Sequence, residues 1–135
     1  MTYLIDTNVI SEFSKRRPHA SVAAFLAGLS AESVWLSVLT LGEIRRGVER
    51  ERPRDPMAAD SIQQWLWRTE ARFVDRILPV TAEIAHRWGE MSSDRTRPVT
   101  DTLIAATASV HGLTVVTRNE RDYRDLGVRV VNPWR

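Results

Sequence analysis

Short runs of β-branched and aromatic residues alternate with helix-period segments along the whole chain, and few folds tolerate that alternation. Residues 3–6, 34–38, 77–80, 113–117 and 128–131 read as strands, carrying runs such as Tyr3-Leu4-Ile5 and Leu113-Thr114-Val115-Val116-Thr117. The intervals read as helices. A short one covers Asn8 to Lys15, and a second starts near Pro18 with Val22, Phe25, Leu26 and Leu29 at helical spacing. A third is capped by Thr40 and turns Leu41, Ile44 and Val48 inward; an exposed turn with Pro53 and Pro56 follows. A long helix over about 57–76 carries Ile62, Leu66, Phe73 and Ile77 as its inward stripe. Further helices are capped by Thr81 and by Thr100, the latter stopped by Gly112, and a short one spans 119–125. Strands separated by helices call for an α/β fold with a mainly parallel central sheet. At 135 residues and 43% hydrophobic content, residues 1–135 suit a single domain that needs no covalent staples.

That architecture gives four scattered acids a common address. Asp6 ends the first strand, Glu43 falls in the opening turn of the third helix, Asp101 opens a later helix, and Asp122 follows the strand 113–117. In a doubly wound sheet, strand C-termini and helix N-termini share one rim. Each acid also has a local use. Asp6 suits an N-cap, Thr40 and Glu43 match a capping box, Asp101 complements a helix dipole, and Asp122 sits three residues after Asn119. Glu83 occupies a similar first-turn position on the same rim. Gathered together, however, carboxylates about 4 Å apart repel by roughly 4 kcal/mol per pair at an effective dielectric of 20. Protons or a cation must compensate. Oxygen donors without cysteine or a suitable histidine pair favour Mg²⁺ or Mn²⁺ over zinc.

Composition narrows the function further. The absence of cysteine excludes disulfides, Cys-ligated zinc and thiol catalysis, and fits a reducing cytoplasm. The first apolar run is broken at Asp6, too early for a signal peptide or membrane span, so a soluble protein with no membrane partner is expected. Of 19 basic residues only Lys15 is a lysine. Setting the four rim acids aside leaves thirteen acids to balance them, a bias compatible with phosphate binding and equally with GC-rich coding. Arg45 and Arg46, followed by Arg50, Arg52 and Arg54, crowd the helix and turn beyond Glu43, either as RNA contacts or as a solvated face interleaved with Glu49 and Glu51. Trp67 and Val74 point away from the stripe of the long helix, towards either a partner or a neighbouring helix. His19, His86 and His111 are scattered and none is a ligand candidate.

Four segments taken in order resemble a known family. Asp6-Thr7-Asn8-Val9-Ile10-Ser11-Glu12, Leu41-Gly42-Glu43-Ile44-Arg45-Arg46-Gly47, Asp101-Thr102-Leu103-Ile104-Ala105-Ala106-Thr107-Ala108 and Val116-Thr117-Arg118-Asn119-Glu120-Arg121-Asp122-Tyr123 are similar to the signature blocks of PIN-domain proteins. They most resemble the VapC-type toxins of bacterial toxin–antitoxin pairs, in the FitB-like branch. The resemblance spans nearly the whole chain and departs at none of the acidic positions. It implies a three-layer α/β/α sandwich that cleaves RNA with Mg²⁺ or Mn²⁺, using Asp6, Glu43, Asp101 and Asp122 as catalytic and metal-organising residues. Asp6 and Asp101 would ligate directly; Glu43 and Asp122 would act through waters or at a second ion. Thr117 and Asn119 match supporting positions, though a strand-end hydroxyl and a turn-forming Asn explain them as well. The implied chemistry is in-line attack of an activated water on phosphorus, leaving a 5′-phosphate and a 3′-hydroxyl. The implied partners are RNA, a VapB-type antitoxin and a second copy of the chain, in a homodimer and a toxin–antitoxin hetero-oligomer, with DNA reached only through the antitoxin.

Two rival readings stand beside it. Haloacid-dehalogenase-type phosphatases and response-regulator receivers also end strand one in Asp. The phosphatases want a second Asp where this chain has Asn8, and both need a lysine near a later strand, whereas the only one here is Lys15. A catalytically inactive PIN-like scaffold that binds RNA or protein is the other; such relatives usually lack one or more of the acids.

Overall fold

The five strands pair only in parallel, in the order β3-β2-β1-β4-β5. They are β1 (Tyr3–Ile5), β2 (Val34–Ser37), β3 (Ile77–Leu78), β4 (Thr114–Val116) and β5 (Val130–Val131) in a computed structural model that describes every residue from Met1 to Arg135. Tyr3 lies opposite Val34 on one side and Thr114 on the other, which makes β1 the centre of the sheet. Six helices connect or flank the strands: α1 (Thr7–Ile10), α2 (Ala20–Ala27), α3 (Val38–Glu51), α4 (Pro56–Arg72), α5 (Ala82–Met91) and α6 (Val99–His111).

Side-chain alternation along the strands builds two cores. Ile5, Leu36 and Val116 face one side, where Val9, Val22, Ile44 and Leu66 of the first four helices cover them. Leu4 and Val115 face the other side, against Ile104, Ala105 and Ala108 of α6 and against Tyr123 and Leu126. The helix α5 packs on α6 in that same layer. The result is a three-layer α/β/α sandwich, as the strand–helix alternation and the family resemblance imply. Each fully buried Leu or Ile in these cores contributes about 1.5–3 kcal/mol relative to exposure. The alanines of α6 are all small, so that helix lies close against β1 and β4.

Local chemistry sets the helix ends. The Asp6 carboxylate caps α1 by accepting the Thr7 N–H at 2.8 Å, and Thr81 caps α5 by accepting the Ile84 N–H at 3.2 Å. Gly112 ends α6 in the left-handed region at φ 66°, where a Cβ would cost about 1–2 kcal/mol. Glu12, nearly buried, pairs with Lys15 and accepts the His19 N–H, both at 2.8 Å, so it fixes the approach to α2.

Several boundaries differ from the sequence reading. Ser37, rather than Thr40, caps α3: its hydroxyl accepts the Leu39 N–H at 3.1 Å, and Glu43 therefore lies in the second turn, with no capping box. Thr100 does not cap α6, which starts two residues earlier, at Val99 after Pro98; the Thr102 hydroxyl bonds back to the Pro98 carbonyl at 2.6 Å. The long helix stops at Arg72, so Phe73 is its C-cap and Ile77 belongs to β3. The segments expected over 8–15 and 119–125 keep only one turn of α-helix and short 3-10 turns at Ser11–Ser14 and Glu120–Asp122. No helix is long and apolar enough to cross a membrane.

Candidate functional site

Strand order reverses direction about β1, so the loops after β1 and β4 diverge and leave a crevice at the carboxyl edge of the sheet. Asp6 stands on one lip, its N–H still held by the Val116 carbonyl at 2.9 Å. The segment from Thr117 to Asp122 forms the other lip. Asn8 ties the two together: its Oδ1 accepts the Arg118 N–H at 3.1 Å, and its Nδ2 donates to the Thr117 hydroxyl at 3.3 Å.

Asp6 is almost fully buried, at 3% exposure, and both of its oxygens are occupied. Oδ1 accepts from the Thr7 N–H, while Oδ2 accepts from the Thr117 hydroxyl at 2.7 Å, the Tyr123 hydroxyl at 3.1 Å and, more distantly, Asn8 Nδ2 at 3.4 Å. Burial pushes the carboxyl up from its ordinary value; the hydrogen bonds from Thr117, Thr7 and Tyr123 oppose that, and the charge of Glu43 adds to it. Tyr123 is itself fully buried, and burial together with the Asp6 charge pushes its hydroxyl up, so it remains a donor. Tyr123 closes the fourth of the signature-like segments but the sequence assigns it no role, because nothing in local pattern distinguishes a core tyrosine from one whose hydroxyl serves a carboxylate.

Glu43 reaches the same crevice from the second turn of α3, held by the Thr7 hydroxyl. A hydroxyl has one proton, so Thr7 donates to Glu43 and accepts from the buried Thr40 hydroxyl at 3.2 Å. The residue read as a helix cap is the anchor of a Thr40–Thr7–Glu43 chain.

Asp101, half-buried in the first turn of α6, completes the gathering. Its carboxyl is pushed up to about 7, first by burial, then by the charge of Asp6, then by Asp122, which is also its hydrogen-bonding partner, and last by Glu43. Asp6, Glu43 and Asp122 therefore all sit within electrostatic reach of Asp101. As placed, no three of them close tightly enough to enclose an ion. The donor set fits a hard dication: every candidate ligand is a carboxylate oxygen, and no histidine or cysteine joins them.

A further brace was not visible in the sequence. The Arg97 guanidinium, its side chain only 7% exposed, binds Asp94 at 2.8 Å and Asp125 at 3.0 Å. It thereby joins the loop that leads into α6, and so to Asp101, to the loop that follows Asp122. Asn119 is exposed and takes part through its backbone N–H, which donates to the Thr117 hydroxyl at 3.0 Å. Arg45 and Arg46 are exposed on α3; Arg45 is engaged with Glu49 at 3.1 Å, as are Arg52 with Asp60 at 2.6 Å and Arg54 with Glu51 at 2.5 Å, so much of that arginine run is neutralised by its own acids. Trp67 and Val74 are exposed, at 56% and 73%, and Val74 lies in the turn beyond α4 instead of on the helix.

Comparison with known proteins agrees with this arrangement. The family model described as "PIN domain" matches residues 3–128. The chain is 34% identical to the toxin FitB of Neisseria gonorrhoeae over 138 aligned positions, covering 97% of each protein. It is 28% identical to the VapC ribonuclease Y4jK of Sinorhizobium fredii, covering 97% of this chain and 96% of that one. The crystal structure of FitAcB from Neisseria gonorrhoeae superposes with a TM-score of 0.89 at 34% identity, over 98% of this chain and 99% of the other.

Proposed function

The chain belongs to the PIN-domain family, and from that premise we propose that it is a divalent-metal-dependent endoribonuclease, the toxin of a VapBC-type toxin–antitoxin pair. The observation that carries the proposal is the convergence of Asp6, Glu43 and Asp122 on Asp101 at the crevice between β1 and β4, where burial first, and then the charges of Asp6, Asp122 and Glu43, push the Asp101 carboxyl up to about 7. Part of that shift is repulsion among carboxylates, which a cation bound between them would relieve. The names of the similar proteins, a toxin and a VapC ribonuclease, support the same reading.

In this reading Asp6 and Asp101 would hold Mg²⁺ or Mn²⁺ directly, and Asp122 and Glu43 would engage through water or a second ion. When bound, such an ion supplies charge neutralisation at phosphorus and lowers the cost of generating hydroxide. The chain's own part is positional. Thr7, Thr117 and Tyr123 fix both oxygens of Asp6 in one orientation, so little reorganisation remains when RNA arrives. Thr7 aims Glu43 at the crevice, where its carboxylate orients or deprotonates the attacking water. Water adds to phosphorus in line with the departing 3′ oxygen, which takes a proton as it leaves; the products are a 5′-phosphate and a 3′-hydroxyl.

For the partner we assign an apolar groove of about 450 Å³ between α2 and α4, whose walls include Phe13, Leu26, Trp65 and Phe73. Its dimensions and lining suit the apolar face of a helical antitoxin segment. DNA would be contacted through that antitoxin, and the toxin would pair as a homodimer. The purified chain, incubated with RNA and Mg²⁺ or Mn²⁺, should cut at defined sites and leave 5′-phosphates readable by end sequencing. EDTA and Asp6→Asn should each reduce cleavage to background. Cutting that survives both treatments would remove the metal-dependent reading, and an intact RNA in every condition would favour the non-catalytic scaffold.

A further inference from the structure

Eight of the eighteen arginines in this chain are paired with an acid. Arg45, Arg52, Arg54, Arg76, Arg87, Arg95, Arg97 and Arg135 each have a carboxylate within ion-pair distance. Of the ten without such a partner, three line one cleft. Beyond β4 a cleft of about 350 Å³ is lined by Arg118, Asn119, Glu120, Arg121, Asp122, Arg124 and Arg135, with no hydrophobic residue among them. Glu120 is already occupied, accepting from Arg135 at 3.1 Å and from Asn132 at 3.1 Å. Arg118, Arg121 and Arg124 have no ion-pair partner, although Asp122 lines the same cleft.

We infer that this cleft is a subsite for the phosphodiester backbone of a single RNA strand, holding a phosphate next to the one that is cut. The inference rests on the ribonuclease reading and names what that reading leaves open: how the strand is held beside the acids.

Three features carry it. First, positive charge is in excess and concentrated: Arg118, Arg121, Arg124 and Arg135 face only Glu120 and Asp122 around a cavity open to solvent. Guanidinium forks match phosphate oxygens two at a time, a geometry lysine cannot supply. Second, the cleft is built onto the acidic crevice. Asp122 belongs to both, and the Arg118 N–H is fastened to Asn8, which also bonds Asp6. A strand lying with one phosphate at the acids passes its next phosphate over these arginines. Third, Arg118 is pre-positioned, with its guanidinium carbon 4.9 Å from the Trp134 ring centroid and its carbonyl accepting from Asn132 at 3.4 Å. Because Trp134 is covered in this way and the lining holds no other aromatic face, the cleft reads backbone rather than stacking bases. It therefore contributes affinity and register, not sequence preference.

The test is RNA binding without cleavage. Anisotropy of a fluorescein-labelled oligouridylate is followed in EDTA over a range of KCl, for the full chain and for Arg121→Gln/Arg124→Gln, both exposed positions whose change should leave the fold intact. A control of equal charge loss, Arg68→Gln/Arg129→Gln, alters exposed arginines that do not line the cleft. The expected result is a several-fold loss of affinity for the cleft variant alone, with the slope of log K against log salt shallower by about 0.7 for each phosphate contact removed. Equal affinity and slope for wild type and cleft variant overturn the inference while leaving the ribonuclease reading intact. So does an equal loss in the control, which reduces the effect to net charge. Loss of affinity for a polyglutamate peptide without loss for RNA overturns it in favour of an acidic protein partner. Absence of any RNA binding by the wild type overturns the inference and the reading together.

Discussion

Replacing Tyr123 by Phe isolates one hydrogen bond at the most buried acid of the crevice. The ring stays, so the packing against Leu4, Ile104 and Leu126 is kept. What is lost is the hydroxyl that donates to Asp6 Oδ2 at 3.1 Å. Hydrogen bonds to a charged group contribute about 1.5–3 kcal/mol, and to a neutral one about 0.5–1.5 kcal/mol. The sign with pH follows from the direction of the Asp6 shift. Its carboxyl is raised in the fold, chiefly by burial, so the wild-type protein loses stability as pH climbs through the folded value. With one donor fewer, the ionised form is held less well and the variant loses more over the same range. Thermal melts in EDTA at pH 8 and pH 5 read this directly. At roughly 4 °C per kcal/mol for a domain of this size, the variant should melt about 6–12 °C lower at pH 8. Towards low pH the gap should shrink by about half or more, because protonation turns Asp6 from a charged acceptor into a neutral one. An equal gap at both pH values would refute the assignment of Tyr123 to the Asp6 carboxylate, and so would no gap at pH 8.

Three further outcomes follow from the same geometry. Thr7→Val strips Glu43 of its donor and leaves the buried Thr40 hydroxyl without an acceptor; urea denaturation should show a loss of about 1–3 kcal/mol, and Thr7→Ser should recover most of it. Asp101 is raised to about 7, so the metal-free protein should lose stability as pH rises from about 4 through 7, and Mn²⁺ should raise the melting temperature more at pH 8 than at pH 5; a metal effect independent of pH would contradict this. Arg97→Met cuts the tie between Asp94 and Asp125, and hydrogen exchange should quicken over residues 119–126 while β1 is unaffected, with Mn²⁺ bound more weakly; unchanged exchange there would show that the loops hold their places without it.

The parts of this molecule that were legible from sequence are those that local chemistry decides. Asp6 before Thr7 is a cap wherever it occurs, Gly112 stops α6 because it alone enters the left-handed region freely, and alternating strands and helices leave little choice but a parallel sheet. The start of α3 was misplaced because Ser37 and Thr40 are both competent caps and Glu43 completes an apparent capping box with the second. What decides between them is Thr7, thirty-three residues upstream of Thr40, which takes both Thr40 and Glu43 into its own hydrogen bonds. Strand order and the roles of Asn8, Tyr123 and Arg97 were hidden for the same reason: their partners are distant in sequence, and only the fold brings them into contact. The arginine run after Glu43 looked like a nucleic-acid face, yet its interleaved acids lie at helical spacing and neutralise much of it. The less conspicuous arginines after β4 also alternate with acids, but Glu120 is taken by Arg135 and Asp125 by Arg95 and Arg97, so Arg118, Arg121 and Arg124 stay unpaired.

The account depends on four carboxylates assembled by the fold to take up a hard divalent ion. Anomalous scattering from a crystal grown with Mn²⁺ addresses that claim without reference to any substrate. A peak within ligand distance of Asp6 and Asp101, about 2.0–2.3 Å for oxygen donors to ions of this kind, and lost in Asp101→Asn, is the result predicted. A peak elsewhere on the surface, or none at saturating Mn²⁺, would contradict it.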